Sequence, residues 1–369
     1  SSQAMATYHT TFRESLGGQK VTIPNVYEIL PEWKPRTHKE YKRAKEDVLD
    51  PWIEKWVDDK RTAQKLKAAD FGLFAAVWTT DASFDVLCTA AKYFAWYFVY
   101  DDIFDCGSLK YDTGIVGAYR EASLQYFKYS LNGDGEAPDL SMFDMELQKG
   151  LQCWDEIGLH IHRKYIAGYD VKGILETREI LCDEMLRYVG SLNNVDSIFE
   201  DSHIPSIQHY WNRREATAAV YCVIATIPFI YGLDITRDDV NDRPMKDLWR
   251  HASYIVHMRD RTNDMFSMRK EIGDNQIENL VPVLMLNRSI DCNTAMSQSY
   301  EFAVNEAMGL RDAEKRLLTK CENESKAIIT QAFIQGCQDV AMGLVHWRYS
   351  RIPWQFESRT NFYWQLLRA

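Results

Sequence analysis

From Asp70 to Tyr100 the chain is apolar on nearly every helical face, DFGLFAAVWTTDASFDVLCTAAKYFAWYFVY, and a helix apolar all round belongs inside a protein. Thr79-Thr80-Asp81 interrupts this run and predicts two helices, with Thr80 or Asp81 as the N-cap of the second. Upstream, Pro24, Pro31 and Pro35 predict an extended lead-in, and the charged, amphipathic stretch 39–67 predicts helices on the outside of a bundle. Downstream the pattern predicts helices over 140–167, 174–191, 206–232, 245–270, 277–286, 293–322 and 326–348, with polar connections at 131–138, 193–205 and 234–243. Few segments alternate as strands do, and no linker, repeat or low-complexity tract divides the chain. The expected fold class is all-α, a single-domain helical bundle over residues 1–369. Residues 1–6 are expected to be a cloning remnant or disordered.

Composition sharpens this picture. Aromatic residues make up 13% of the chain, including 11 Trp and 16 Phe, enough to line a large cavity as well as fill a core. The net charge of −10 argues against nucleic acid or an anionic membrane surface, both of which attract basic patches. The eight cysteines include no CxxC pair and sit mostly in apolar helical stretches, so they read as reduced packing residues. With no apolar run long enough to span a bilayer and no signal-like start, the expected location is cytoplasmic.

Two clusters carry candidate chemistry. Asp101-Asp102-Ile103-Phe104-Asp105 follows Trp96-Tyr97-Phe98-Val99-Tyr100. Asp101 and Asp105 stand four apart, on one helical face a turn from each other. Such carboxylates repel unless a divalent cation lies between them, and as acidic groups at a helix C-terminus they oppose the macrodipole. The plain alternative is a solvated acidic helix end. In the second cluster Asn263, Ser267 and Glu271 recur every fourth residue, with Asp264 and Lys270 beside them. An amide, a hydroxyl and a carboxylate on one stripe suit a hard cation such as Mg²⁺, which commonly bridges protein oxygens to phosphate. Lys270 can meet a phosphate oxygen as a point charge. An exposed polar helix face remains the alternative there.

These residues resemble the class I terpene synthases of the single-domain microbial or coral type. Asp101-Asp102-x-x-Asp105 is similar to their aspartate-rich motif, and Asn263-Asp264-x-x-Ser267-x-x-Lys270-Glu271 to their second metal motif. The resemblance implies the isoprenoid synthase bundle with a central apolar cavity. It also implies a diphosphate-sensing arginine on a broken helix: Arg214, with Arg213 second, in the segment Tyr210 to Ala218. Thr217 and Ala218 would lie at the substrate. Ala218 and Ala219 stand where many relatives have Gly, which leaves the position of the break open. The family's C-terminal Arg-Tyr pair corresponds to Arg348 and Tyr349, or is shifted so that Arg351 takes the arginine's part.

The implied activity is that of a lyase. Three Mg²⁺ ions, with Mn²⁺ as an alternative, would bind Asp101, Asp102, Asp105, Asn263, Asp264, Ser267 and Glu271. Arg214, Lys270, Arg348 and Tyr349 would hold the diphosphate of a linear prenyl substrate as pyrophosphate leaves. The resulting carbocation would cyclise against aromatic faces, with Phe74, Trp78, Trp96 and Phe98 as candidates, and no Ser, Cys or His is required chemically. Small residues at Ala75, Ala76, Ala90, Ala218 and Ala219 favour geranylgeranyl over farnesyl diphosphate. A homodimer is an open option. Two rival readings are a chain-elongating prenyl diphosphate synthase and a non-catalytic isoprenoid-binding bundle.

Overall fold

The computed structural model describes residues 20–105, 109, 113–133, 135–166, 172–192, 205–217, 219–260, 280–350 and 362–365. Within them the regular structure is helical apart from two four-residue strands. β1 (Lys20–Ile23) pairs antiparallel with β2 (Phe362–Gln365), Val21 opposite Trp364. The sequence pattern did not predict this ribbon, because four residues carry too little alternation to be read. Thr22 N also donates to Asn293 Oδ1 (2.9 Å), which fixes β1 to the body of the bundle.

After a 3₁₀ turn (Val26–Ile29), the charged region folds as Tyr41–Arg43, a π-helical stretch Ala44–Leu49, and α1 (Asp50–Trp56). α2 (Lys60–Ala68) follows, capped by Asp59, whose Oδ2 accepts from Thr62 N at 2.7 Å. The apolar region gives α3 (Phe71–Trp78) and α4 (Phe84–Asp105). The break is where the sequence puts it, but the cap is not. Ser83 O accepts the first helical bond, from Leu87 N at 3.0 Å. Thr80 Oγ1 instead donates back to Val77 O (2.8 Å), and Asp81 pairs with Arg36 (3.1 Å).

α5 (Thr113–Phe127) is followed by two helices where one is expected over 140–167: α6 (Met145–Gln152) and α7 (Asp155–Ile166). Leu140 and Phe143 are buried but precede the helix, which Asp144 starts by accepting from Leu147 N (3.0 Å). The second interruption turns Trp154 into the core, where its Nε1 donates to Ser130 Oγ (2.7 Å) and its ring packs on Trp96 at 5.0 Å. α8 (Lys172–Ser191) follows.

The region 206–232 breaks twice, into α9 (Ile207–Thr217), α10 (Val220–Ile224) and α11 (Ile227–Tyr231). Pro228 in the first turn of α11 has no N–H to continue the ladder, and Gly232, at φ 63°, ends the helix in the left-handed region. The charged connection 234–243 holds a short helix of its own, α12 (Arg237–Asn241), with a Thr236/Asp239 capping box. α13 (Arg243–Asp260), α14 (Leu280–Arg288), α15 (Cys292–Thr319) and α16 (Glu324–Tyr349) complete the bundle.

One continuous core runs through all of this. α4 lies at its centre, with α3, α6 and α7 packed along it, while α13 packs on α15 and α16. Close approach demands small residues at particular points. A Cβ at Gly150 on α6 would lie 2.3 Å from Ile103 Cδ1 on α4, and one at Gly343 on α16 would lie 3.0 Å from Val77 on α3. Seven cysteines are free, six of them buried, as expected of packing residues; Cys106 lies outside the described residues. Among the described residues, no helix is long and apolar enough to cross a membrane.

Candidate active site

The period of an α-helix sorts the last turns of α4 into stripes. Tyr93, Tyr97 and Asp101, spaced by four, face α8. The Tyr97 ring meets Tyr188 edge-on at 5.2 Å, and Tyr188 donates its hydroxyl to Asp101 Oδ1 at 2.6 Å. Burial first, then the charge of Asp101, holds the Tyr188 hydroxyl well above its ordinary pKa, so it stays a donor. Tyr97 donates to Tyr93 Oη (2.8 Å), and Tyr93 to the backbone carbonyl of Cys222 on α10 (2.7 Å). That carbonyl is accessible because the α10 helix ends early: Thr226 N bonds Val223 O (3.2 Å) instead. A buried chain of phenols thus ties the aspartate helix to the broken helix.

Asp102 points away from this stripe. It lines a cavity of about 270 Å³ with Trp56, Leu66, Val99, Ile103 and Lys149. Asp105 ends α4, and its side chain lies outside the described set, as do Asn263, Asp264, Ser267, Lys270, Glu271, Ala218 and Arg351. Among the described residues no three acidic, thiol or imidazole groups converge to hold a metal ion. What is described of the first cluster, carboxylates with one oriented by a phenol, is a hard-oxygen donor set and fits Mg²⁺ rather than a soft metal.

The arginine segment lies at a helix break, where the apolar pattern alone predicts one helix over 206–232 and the resemblance implies a break of open position. α9 ends at Thr217 and α10 begins at Val220, with Ala219 between them at φ −75°, ψ 7°. Glu215 spans the break, accepting from Tyr221 Oη (2.8 Å) and from Tyr254 Oη on α13 (2.9 Å). Arg213 is buried, and burial, then the neighbouring Arg214 charge, lowers its guanidinium pKa. Arg214 is half-buried, and its Nε is a buried donor with no acceptor among the described residues.

The charges of Arg214 and Arg348 both act on a residue that carries no signal in the sequence. His257 on α13 is 3% exposed; burial, then the charges of Arg214 and Arg348, pushes its pKa down to about 3. The shift has a thermodynamic consequence. A folded-state pKa below the unfolded value means that the unfolded chain binds the extra proton, so this group's contribution is intact above pH 6.5 and is lost as the pH falls towards 3. At pH 5 the loss is about 2 kcal/mol. Asp339, buried and raised to about 6, acts in the opposite sense over the same interval. The measurement is therefore the difference between wild type and His257→Gln in urea-unfolding stability. That difference should narrow by about 2 kcal/mol in the wild type's disfavour between pH 7 and pH 5, and a constant difference would contradict the burial of a neutral imidazole.

The other expected residues fall into two groups. Trp96, Phe74 and Trp78 are fully buried in the aromatic core: Trp96 stacks on Tyr100 (4.7 Å) and donates to Gly150 O (3.0 Å), and Phe74 stacks on Trp78 (5.4 Å). Phe98 is only partly buried and stacks on Phe71 at 4.4 Å. At the other end of α16, Trp347 anchors the chain by donating to Ala69 O and Asp70 O (both 2.9 Å), while Tyr349 meets Tyr27 edge-on at 5.9 Å. Tyr93 and Tyr97 could have been found from their four-residue spacing to Asp101. Tyr188 and His257 carry no such signal, because their partners are distant in sequence.

Comparison with known proteins agrees with this geometry. The family model for terpene synthase family 2, C-terminal metal binding, matches residues 92–307. The chain is similar to the sesquiterpene cyclase hepA of Aspergillus oryzae, 26% identical over 343 residues, covering 91% of this chain and 89% of that protein. It is also similar to silphinene synthase peniA of Penicillium patulum, 25% identical over 335 residues, covering 89% and 84% of the two chains. Among solved structures, that of a-eudesmol synthase superposes with a TM-score of 0.70 over 86% of this chain and 97% of that one, at 15% identity, a likeness of fold alone. With the family model spanning more than half its length, the chain belongs to terpene synthase family 2 and is a class I terpene synthase.

Proposed function

We propose that the chain is a single helical domain that ionises a linear prenyl diphosphate, releases pyrophosphate and cyclises the resulting cation. The observation that carries this reading is that α9, bearing Arg214, and α16, bearing Arg348, both pack on α13, the helix that leads into Asn263, and that both arginine charges act on its buried His257. Asp101, with Asp105, Asn263, Ser267 and Glu271 as the remaining proposed ligands, would hold magnesium, which would supply Lewis-acid stabilisation of the leaving group. The protein's own part is positional and electrostatic. Tyr188 fixes the orientation of Asp101, and the Tyr93 bond to Cys222 O holds the broken helix against α4. Arg214 and Arg348 offset the charge that builds on the departing diphosphate, worth most where water is excluded.

Support for substrate length has moved from the longer to the shorter chain. Ala75, Ala76 and Ala90 are buried between packed helices, so close packing explains their size without a deep cavity. The relatives include a named sesquiterpene cyclase, which supports farnesyl diphosphate. Incubation with Mg²⁺ and, separately, geranyl, farnesyl, geranylgeranyl and geranylfarnesyl diphosphates, followed by gas chromatography with mass detection, tests this. The expected result is a cyclic C15 product, absent with EDTA. A cyclic product only from a longer substrate reverses the chain-length reading. A longer diphosphate formed only with isopentenyl diphosphate makes the chain an elongating enzyme, and no turnover of any substrate leaves a binding bundle.

A further inference from the structure

We infer that His257 is a substrate-contacting residue, a neutral hydrogen-bond donor to the diphosphate group between Arg214 and Arg348; this rests on the assignment of those arginines to the diphosphate. α13, which carries His257, packs on α9, bearing Arg214, and on α16, bearing Arg348, and the charges of both arginines act on the imidazole. The imidazole is almost completely buried, and its Nε2 has no hydrogen-bond partner among the described residues. Arg214 Nε, also buried, has no acceptor either.

A buried polar atom without a partner is costly, and native proteins keep few of them. Here the groups that gather are of one kind. Arginine offers donors only, and a neutral imidazole offers one N–H. Donors converging from three helices, with two positive charges among them, have one complementary partner, an anion rich in acceptor oxygens, and a diphosphate is such an anion. A purely structural histidine at a helix contact would bond a neighbouring carbonyl. His38 shows that arrangement in this chain: it is buried, and its Nε2 lies 2.9 Å from Ala82 O.

The anion also explains how the site tolerates an imidazole beside two guanidinium groups. Kept neutral, it adds a donor without adding a third repelling charge.

The test is magnesium-dependent binding of inorganic pyrophosphate to the full chain, followed by titration calorimetry, with melting temperature as the check on folding. His257→Phe removes the donor and should weaken pyrophosphate binding about tenfold, roughly the contribution of one charge-assisted hydrogen bond. His257→Gln returns an N–H near the Nε2 position and should bind within about threefold of wild type. In steady state the Phe variant should raise KM more than it lowers kcat for the prenyl substrate. Should the Phe variant fail to fold, the Gln variant is compared with His257→Leu by the same titration. Wild-type pyrophosphate affinity in the donor-less variant, while Arg214→Ala loses it, would overturn the inference and leave the diphosphate reading intact. Wild-type affinity in both Arg214→Ala and Arg348→Ala overturns the reading on which it rests.

Discussion

Replacing Asp101 with Asn should lower product formation by about 10²- to 10³-fold, the range seen when one preorganised electrostatic group is removed from an active site, while leaving the melting temperature almost unchanged. The asparagine keeps an oxygen for the Tyr188 hydroxyl, which now bonds Asp101 Oδ1 at 2.6 Å; what it loses is the charge a divalent cation needs. Asp101→Ala should match the loss of turnover and also lower stability, by about 1–3 kcal/mol, because the buried Tyr188 donor is stranded. Tyr188→Phe separates the two effects further: it leaves the carboxylate but not its orientation, and should raise the Mg²⁺ concentration for half-maximal activity about 10- to 100-fold. Near-wild-type turnover in Asp101→Asn would remove the aspartate cluster from the mechanism.

The second large effect is on stability. Trp347→Ala should cost about 3–5 kcal/mol, the usual range for deleting a buried tryptophan, read from the midpoint of urea unfolding by circular dichroism. Trp347 is 3% exposed and packs on Phe94 (5.2 Å), Phe71 (5.8 Å) and Phe98 (6.1 Å), so it joins α16 to both α3 and α4. Its Nε1 caps two carbonyls at the α2–α3 junction, and one of them belongs to Asp70, held at φ 52°. A non-glycine residue in the left-handed region needs local restraint, and Asp70 is also bonded through its carboxylate to Tyr41. Trp347→Phe keeps most of the ring contact and loses the donor, and should cost only about 1–2 kcal/mol. Equal losses in the two variants would show that the hydrogen bonds, rather than the packing, hold this corner.

How much of this was legible in the sequence depends on the range of the interactions involved. α3 and α4 could be read because apolar residues on every face leave a helix one place to go, and the acidic residues closing α4 stood out against that background. Boundaries were less secure. Thr80 and Asp81 are good caps by type, yet Ser83 starts α4, since Thr80 bonds back to Val77 O and across to Arg36 O, and Asp81 pairs with Arg36. Leu140 to Ala167 has a helical pattern throughout, but the core's demand for the Trp154 ring interrupts it. The resemblance implied a broken helix at the arginine segment but left the position of the break open; α9 ends at Thr217 and α10 begins at Val220. His257 was invisible for a physical reason: on α13 it is one polar residue of an amphipathic helix, and its character comes from two arginines brought in by other helices.

The bond from Tyr93 to Cys222 O constrains the two positions unequally. Its acceptor is main chain, so every residue at 222 supplies it; the side chain there is limited by its buried volume and by a weak thiol bond to Glu184 O at 3.3 Å. Its donor is a single phenolic hydroxyl that no other common side chain places at the same distance. A library of variants at position 222 should therefore keep the broken helix in register across small apolar replacements, whereas at position 93 even phenylalanine releases it. The joint between the aspartate helix and the arginine helix is specified at one end only.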